Sequence, residues 1–425
     1  MQWLSYKQKD FQERLSTLVA LQAVDDPVEK SVAAILHEVA AKGDKALITF
    51  AQKFDNVSLS PANFAVKKSE FPKNLSKSFQ QAVSQTLRNV QDFSRQSIPR
   101  DWEKTNQDGG RVGERYFPFE RVGVYIPGGT APLVSTCIMT IAIAKTAGVK
   151  EIVVCTPCDQ DGKVNPHVLY AAVQSGATEI YRIGGAHAIG AMAYGTDTIK
   201  RVDKIVGPGN AYVTAAKRQV YGRVDIDLIA GPSEVLIIAD KHSNPSYIAM
   251  DMLAQAEHGS GNERAILVTD DEAVGHSTAQ HLAQYALDHS RKELTRPVLK
   301  KGVYVIHVRN LKQAVDVTNF IAPEHLEIHA RSARSIMKDI RNVGAVFLGE
   351  FTPASVGDFV AGPSHVLPTG GTARSFSGLS ITDFFRRMSV IEYDKLSLRK
   401  AVETVEEFAT AEGLEAHGLS ASIRF

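Results

Sequence analysis

The sequence predicts an α/β protein built on parallel sheets. Five short apolar segments of strand length begin at residues 122, 151, 179, 204 and 234, which is 29, 28, 25 and 30 residues apart. Glycine-rich turns follow several of these segments, and stretches with helical periodicity fill the intervals. The alternation of strand, turn and helix is typical of parallel sheets whose crossover connections are helices.

Composition excludes several classes of protein. The chain has 425 residues, of which 44% are apolar and 22% charged, so disordered and fibrous architectures do not fit. Lys and Arg number 48 against 47 Asp and Glu, a net charge of +1, whereas a nucleic-acid-binding protein usually carries a basic excess. The length predicts two to three domains by the usual domain size of roughly 150 residues.

The first residues, MQWLSYKQKDFQERLS, are polar where a signal peptide would be apolar. The longest strongly apolar stretch, 137–144, is far shorter than the roughly 20 residues of a spanning helix. Three cysteines do not make a disulfide framework. We therefore expect a soluble cytoplasmic protein that binds neither membrane nor nucleic acid.

Each predicted element has its own pattern. Apolar residues at helical spacing predict helices over 28–54, 75–94 and the tail at 396–417, and Asp108-Gly109-Gly110 predicts a hairpin tip. The helices of the α/β region are predicted over 136–147, 186–194 and 211–221. Strands are predicted over the ranges 122–126, 151–155, 179–183, 204–206, 234–239, 265–269, 303–307 and 345–348.

Three turns after predicted strands carry glycines: Pro127-Gly128-Gly129, Gly184-Gly185 and Gly207-Pro208-Gly209-Asn210. A glycine there lets the backbone approach a ligand, and the amino end of the next helix favours phosphate. Tight packing between strand and helix explains any one turn equally well. The GxGxxG fingerprint is absent, yet three such turns in one block favour a nucleotide.

Four polar groupings are candidates for chemistry. Cys155 and Cys158 form a CxxC, which fits a redox pair or half a zinc site, although a packed cysteine and a loop cysteine are the default. A helix from Pro245 would place Asp251, Gln255 and His258 on one face, at the spacing of a metal pair or of ordinary polar residues.

The other two groupings lie further along the chain. Glu324 and His325 could supply acid and base chemistry if Pro323 starts a helix or a bend, but surface Glu-His pairs are common. In addition to these four groupings, the single residue Asp358 is a candidate, because it precedes a glycine-rich polar run. Glu412 and His417 lie in the tail, where a solvated face or an interface is the simpler interpretation.

Seven strings together resemble the histidinol dehydrogenase family, in the family's order and spacing from about residue 25 to the end. They are VGVYIPGGTAPL, GGAHAIGAMAYGT, VDKIVGPGNAYV, AGPSEVLIIAD, LAQAEHG, APEHLEI and EAHGLS. The resemblance implies oxidation of L-histidinol to L-histidine, the end of histidine biosynthesis, in two NAD-dependent steps through an enzyme-held aldehyde. It also implies one zinc ion per subunit.

The resemblance also assigns roles to residues. It implies Glu324 and His325 as catalytic bases, and zinc ligands at Gln255, His258, Asp358 and His417. The implied substrate contacts are Ser233, Gln255, His258, His325, Asp358, Glu412 and His417. The implied NAD contacts are Tyr125, His187 and Asn210, with His187 standing where the family usually has Gln.

The implied fold is two incomplete Rossmann-like domains, one inserted in the other, in an intertwined homodimer. The expected division is a helical segment at 1–23, a first domain over 24–124 and 235–379, an inserted NAD-binding domain over 125–234, and a tail over 380–425. The tail would complete the partner subunit's site. Two alternatives stay open: a zinc- and NAD-dependent relative acting on another alcohol, such as a sulfonated diol, and a catalytically silent zinc- or nucleotide-binding protein.

Overall fold

A computed structural model describes residues 1–18, 26–128, 132–229 and 231–425. It contains a six-stranded and a five-stranded parallel sheet, and a small three-stranded antiparallel sheet, so the predicted α/β class is confirmed. The predicted glycine turn at 127–129 is described only as far as Gly128.

Every predicted strand segment contains a strand in the structure, and the structure has several further strands. They are β1 (Gln2–Ser5), β2 (Trp102–Thr105), β3 (Arg111–Pro118), β4 (Arg121–Tyr125), β5 (Glu151–Cys155), β6 (Glu179–Tyr181), β7 (Lys204–Val206), β8 (Asp225–Ile226), β9 (Glu234–Ala239), β10 (Arg264–Thr269), β11 (Val303–His307), β12 (His325–Ile328), β13 (Ala345–Leu348) and β14 (Phe385–Glu392).

The α-helices connect these strands and cover both large sheets. They are α1 (Phe11–Thr17), α2 (Asp26–Lys42), α3 (Asp44–Phe50), α4 (Pro61–Phe64), α5 (Lys77–Arg95), α6 (Val134–Cys137), α7 (Ile143–Ala147), α8 (Pro166–Ser175), α9 (Gly185–Tyr194), α10 (Ala211–Val220), α11 (Pro245–Ala256), α12 (Glu272–Leu287), α13 (Lys292–Lys301), α14 (Leu311–Ile321), α15 (Ala333–Ile336), α16 (Ala354–Phe359), α17 (Lys395–Glu412) and α18 (Glu415–Ser422).

The six-stranded sheet has the order β1-β11-β10-β9-β12-β13. Its central strands are buried along their whole length, as expected for parallel strands covered by helices on both faces. The chain builds outward from β9 through β10 to β11, and then returns to place β12 on the other side of β9. β9 and β12 are therefore neighbours, in register from His325 opposite Val235.

The five-stranded sheet has the order β6-β5-β4-β7-β8. The strand order reverses between β4 and β7, and such a reversal opens a crevice at the carboxyl ends of the two strands. The predicted hairpin tip at 108–110 joins β2 and β3, which pair antiparallel, and β14 pairs with the other edge of β3.

The core shows two differences from the expected organisation. Residues 2–5, expected in a helical segment, form β1 and pair parallel with β11. Apolar residues of α2 and α3 pack with α9 and α10 beside the five-stranded sheet, although the expected division grouped them with residues 235–379. The division into domains itself stays a prediction.

Among the residues that the structure describes, no helix combines the length and the apolar character needed to cross a lipid bilayer.

Candidate active site

The amino ends of β9 and β12 bring Ser233 and Glu324 together, although 91 residues separate them. The Glu324 carboxylate accepts a hydrogen bond from the Ser233 hydroxyl at 2.6 Å and another from the Glu234 backbone N–H at 2.9 Å, both on Oε2. Pro323 and Glu324 lead through a bend into a strand, so of the two expectations here the bend is confirmed and the helix start is wrong. Ala322, with φ 54°, ends α14 in the left-handed region and turns the chain into β12.

His325 is the first residue of β12 and is buried between two carboxylates. Its Nδ1 lies 3.1 Å from the Glu234 carbonyl oxygen, so Nδ1 carries a hydrogen and donates it. Nε2 is buried, has no hydrogen-bond partner among the described residues, and lies 3.6 Å from Asp358 Oδ1. Burial lowers the pKa of His325, but the charges of Glu324 and Asp358 outweigh this effect and raise the pKa well above its usual value.

Asp358 lies in the short helix α16, at the edge of the cluster. Burial raises the pKa of its carboxyl, yet the nearby imidazoles of His325, His365 and His258 bring it below the usual value. His365 Nδ1 lies 3.1 Å from the Asp358 carbonyl oxygen, and its Nε2 lies 3.2 Å from the Thr136 hydroxyl. The polar run after Asp358 therefore belongs to the site.

The end of α11 supplies two further predicted residues. Gln255 is buried in the last turn of the helix, and its amide nitrogen has no hydrogen-bond partner in the described structure. The helix ends at Ala256, so the expectation that His258 shares a helical face with Gln255 is wrong. His258 lies in the following turn, where its Nδ1 is 3.0 Å from the Gln255 carbonyl oxygen.

These side chains fit a zinc ion in their donor chemistry. Carboxylate oxygens and imidazole nitrogens are common zinc ligands, and the Gln255 amide adds a neutral oxygen donor. The backbone contact of His258 Nδ1, which leaves Nε2 for a metal, agrees with such a site.

The tail residues are placed elsewhere. Glu412 is the last residue of α17, His417 lies in α18, and both are exposed. Within the described residues of one chain, no hydrogen bond or ion pair joins either of them to Gln255, His258, His325 or Asp358. A single chain thus assembles only part of the predicted set.

The predicted NAD contacts surround the strand reversal of the five-stranded sheet. Tyr125 ends β4, and its hydroxyl accepts a hydrogen bond from the Gly185 N–H at 3.0 Å. Asn210 caps α10 after β7, with its side-chain oxygen 3.1 Å from the backbone nitrogens of Tyr212 and Val213. The residues present fit a dinucleotide by their position at this crevice.

Glycines in these turns are explained by close packing. A Cβ on Gly207 would lie 2.2 Å from the Tyr125 carbonyl oxygen, and a Cβ on Gly128 or Gly184 would lie within 2.8 Å of the Pro157 ring. These glycines are needed by the fold itself. They are not independent evidence for a phosphate.

His187 lies in the first turn of α9 and is buried. Both ring nitrogens lack hydrogen-bond partners in the described structure, and the ring lies 5.8 Å from that of Phe50 and 6.2 Å from that of Phe54. Burial lowers the pKa of His187 to about 4, so the ring is neutral at neutral pH. Its role in binding NAD stays a prediction.

The CxxC cysteines are free and pack as ordinary side chains. Cys155 is fully buried in β5, and the Cys158 thiol lies 3.8 Å from the Arg182 carbonyl oxygen. Burial raises the pKa of Cys155 to about 12 and that of Cys158 to about 11, which disfavours the thiolate that redox chemistry or zinc would need.

Sequence reasoning missed two acidic groups near the site. Glu234 is buried, its carboxylate accepts the Gly370 N–H at 2.7 Å, and burial raises its pKa to about 7. Glu327 lies two residues after His325, in a cluster with Asp251 and His329. Since both glutamates fall within apolar strand segments, a charged residue inside a buried strand was the available signal.

A buried imidazole between two carboxylates on a parallel sheet is an arrangement suited to acid–base chemistry, as in an α/β enzyme. The family model described as histidinol dehydrogenase matches residues 20–425. The chain belongs to the histidinol dehydrogenase family, whose name denotes the oxidation of histidinol in histidine biosynthesis, and the predicted resemblance is confirmed.

Individual relatives cover nearly the whole chain. It is 42% identical to a histidinol dehydrogenase of Carboxydothermus hydrogenoformans over 97% of both chains. It is 44% identical to one of a Synechococcus strain over 94% of this chain and 93% of the relative. The crystal structure of histidinol dehydrogenase from Elizabethkingia anophelis matches with a TM-score of 0.94 at 35% identity, covering 100% of this chain and 98% of that one.

Proposed function

We propose that this enzyme oxidises L-histidinol to L-histidine in two NAD-dependent steps, with L-histidinal held at the site between them. The observation that carries the proposal is the His325 ring, whose Nδ1 is held by the Glu234 carbonyl while Nε2 remains free. A base fixed in one tautomer can take the proton of an alcohol as the carbon is oxidised.

Glu324 is the proposed base of the second step. Its carboxylate is held by the Ser233 hydroxyl through one oxygen, which leaves the other oxygen for a water molecule. Glu324 would take a proton from that water as the water oxygen bonds to the aldehyde carbon, and the former carbonyl oxygen would take up a proton to complete the hydrate, which is then oxidised to the acid. His325, next along the chain, would accept the hydroxyl proton in both steps.

Gln255, His258 and Asp358, with His417 of the partner subunit, would hold the zinc. Tyr125, Asn210 and His187 would contact NAD. When bound, zinc supplies an anchor for the amino and imidazole nitrogens of the substrate, and NAD supplies the acceptor for hydride. Ser233 and Glu412 would add contacts to the substrate's polar groups, with the Glu412 carboxylate suited to an N–H donor.

A homodimer with shared sites explains the placement of Glu412 and His417. Both are exposed and apart from the other site residues in the isolated chain. The tail helices also expose large apolar side chains: Phe408 is 65% exposed, Leu419 56% and Ile423 81%. Burial of such residues against a second copy would stabilise the dimer. We place this dimer in the cytoplasm.

Complete oxidation of limiting L-histidinol in excess NAD should form about two NADH per histidinol. The reason is that each of the two oxidations releases its own hydride. Absorbance at the NADH maximum and chromatography of the product measure this ratio. One NADH with free aldehyde accumulating would contradict the four-electron proposal, and no NADH would favour a silent protein. Turnover of another alcohol in preference to histidinol would indicate a changed specificity.

His258→Ala and Asp358→Ala should each lose zinc and activity. Removing one ligand weakens a site of four by a large factor. Cys155→Ala and Cys158→Ala are the matched controls and should keep both, because their thiols pack in a core away from these ligands. Metal analysis of the purified variants is the measurement. Full zinc in His258→Ala would refute the ligand assignment, and zinc loss in a cysteine variant would restore the CxxC as a candidate.

A further inference from the structure

A buried cluster of Asp251, Glu327 and His329 lies beside the proposed site and has no role in the mechanism above. The side chains of Glu327 and His329 are completely buried, and that of Asp251 is 15% exposed. Side chains two residues apart on a strand share a face, so Glu327 and His329 follow His325 along the same face of β12. Polar groups this deeply buried need partners.

The Glu327 carboxylate lies close to groups on two helices and to His329. Its Oε1 accepts the backbone N–H of Ala354, the first residue of α16, at 2.6 Å. Its Oε2 lies 3.0 Å from His329 Nε2, and the Asp251 carboxyl of α11 completes the cluster, in which atoms of the three side chains lie within 4.8 Å of one another. His329 Nδ1 is buried and has no hydrogen-bond partner among the described residues. Asp251 Oδ2 also lies 3.6 Å from His329 Nε2.

We propose that Glu327 is a positioning residue, which holds α16 and α11 against β12 through its two carboxylate oxygens. Each of the three elements carries a residue of the proposed site: α16 carries Asp358, the last turn of α11 carries Gln255, and β12 begins with His325. The inference rests on the proposed function, because positioning matters only if these residues bind metal and substrate. Groups behind metal ligands commonly change metal affinity by about 10- to 100-fold.

A shared proton accounts for the close carboxyls. Burial and the charge of Glu327 raise the pKa of Asp251 to about 8, so Asp251 carries a proton at neutral pH and donates it to Glu327. The three side chains also lie close enough to ligate an ion. Hydrogen bonds can hold the three side chains together without an ion. They also include the contact between Glu327 and the Ala354 N–H, which an ion would not explain.

Three variants separate the parts of this contact. Glu327→Ala removes both oxygens. Ala354→Pro removes only the N–H donor, at the first position of a helix, where proline is well tolerated. Glu327→Gln keeps the shape and an oxygen for Ala354. The control is Ile266→Ala, which opens a cavity in β10 of the same sheet and lowers stability without touching the cluster.

Hydrogen exchange of the metal-free full-length protein is the first measurement. We expect exchange of the 355–361 amides to accelerate at least tenfold in Glu327→Ala and Ala354→Pro, and less than threefold in Glu327→Gln and Ile266→Ala. This readout needs no metal, so it also tests Glu327 if the wild-type protein binds no zinc and the proposed function fails. Unchanged exchange in Ala354→Pro overturns the inference even if Glu327→Ala does not fold.

Zinc affinity, by competition with a chelator, is the second measurement. The dissociation constant should rise tenfold or more in Glu327→Ala and Ala354→Pro, and stay within about threefold in Glu327→Gln. An equal loss of zinc affinity in Ile266→Ala would mean that general destabilisation causes the loss in Glu327→Ala, and it would overturn the inference. A second zinc per chain that Glu327→Ala abolishes would make the cluster a metal site and overturn it too.

Discussion

Glu324→Gln is expected to slow oxidation of L-histidinal by about two orders of magnitude or more, while oxidation of L-histidinol to the aldehyde stays within a few-fold of the wild-type rate. General base catalysis contributes typically 10²- to 10⁴-fold, and only the aldehyde step needs an activated water. The amide keeps an oxygen that can accept from the Ser233 hydroxyl and the Glu234 N–H, so the change removes the base and preserves the shape.

His325→Asn should impair both steps to a similar degree, since each step removes a proton from a substrate hydroxyl. Single-turnover rates with histidinol and, separately, with histidinal give the comparison. Glu234→Gln is the matched control: its carboxyl is equally buried beside Glu324, and the variant should leave the ratio of the two rates unchanged. Equal loss on both substrates in Glu324→Gln would contradict its role as the water-activating base.

Mixed dimers should recover oxidation of L-histidinal from two parents that lack it, Glu324→Gln and His417→Ala. If each site combines Glu324 of one subunit with His417 of the other, one site of the mixed dimer contains both substitutions. The other site contains neither and is intact. Random reassociation makes half the dimers mixed, with one working site of two. The population should therefore reach roughly a quarter of wild-type activity.

The experiment is co-expression of the two variants with different affinity tags and purification through both tags, which isolates the mixed dimers; these should oxidise L-histidinal at about half of the wild-type rate. The control pair is Glu324→Gln with His325→Asn, whose lesions lie in the same part of the site, so both sites of that mixed dimer stay damaged. Activity in the control pair would show contamination by wild-type enzyme. No activity above the parents in the test pair would mean that each site is built within one chain.

The strands of the two parallel sheets were predictable because burial on both faces makes them continuous apolar runs. Five of the eight predicted strands have the predicted bounds, among them β5, β7 and β9. β12 was missed, since Glu324, His325 and Glu327 interrupt its apolar pattern. These charged residues are there for the site and its support, and each is satisfied by a partner that lies elsewhere in the sequence.

The site depends on contacts that periodicity does not encode. Ser233 meets Glu324 because β12 returns to the side of β9 opposite β10, a choice of strand order that local pattern leaves open. α11 ends at Ala256, so the predicted helical relation of Gln255 to His258 was wrong, and the roles of the two residues stay a prediction. Their roles came from the resemblance of seven strings to a family.

The pairing of β1 with β11 has a consequence for synthesis on the ribosome. The partners of residues 2–5, at 304–307, are made about three hundred residues later than residues 2–5 themselves. The five-stranded sheet is contiguous over 121–226 and can form long before that point. β1, an edge strand of the six-stranded sheet, therefore stays without its partner strand during most of translation. Pairing two strands that are so far apart in the sequence is a slow step in folding. A nascent chain stalled before residue 303 should leave 2–5 open to proteases while 121–226 is already protected.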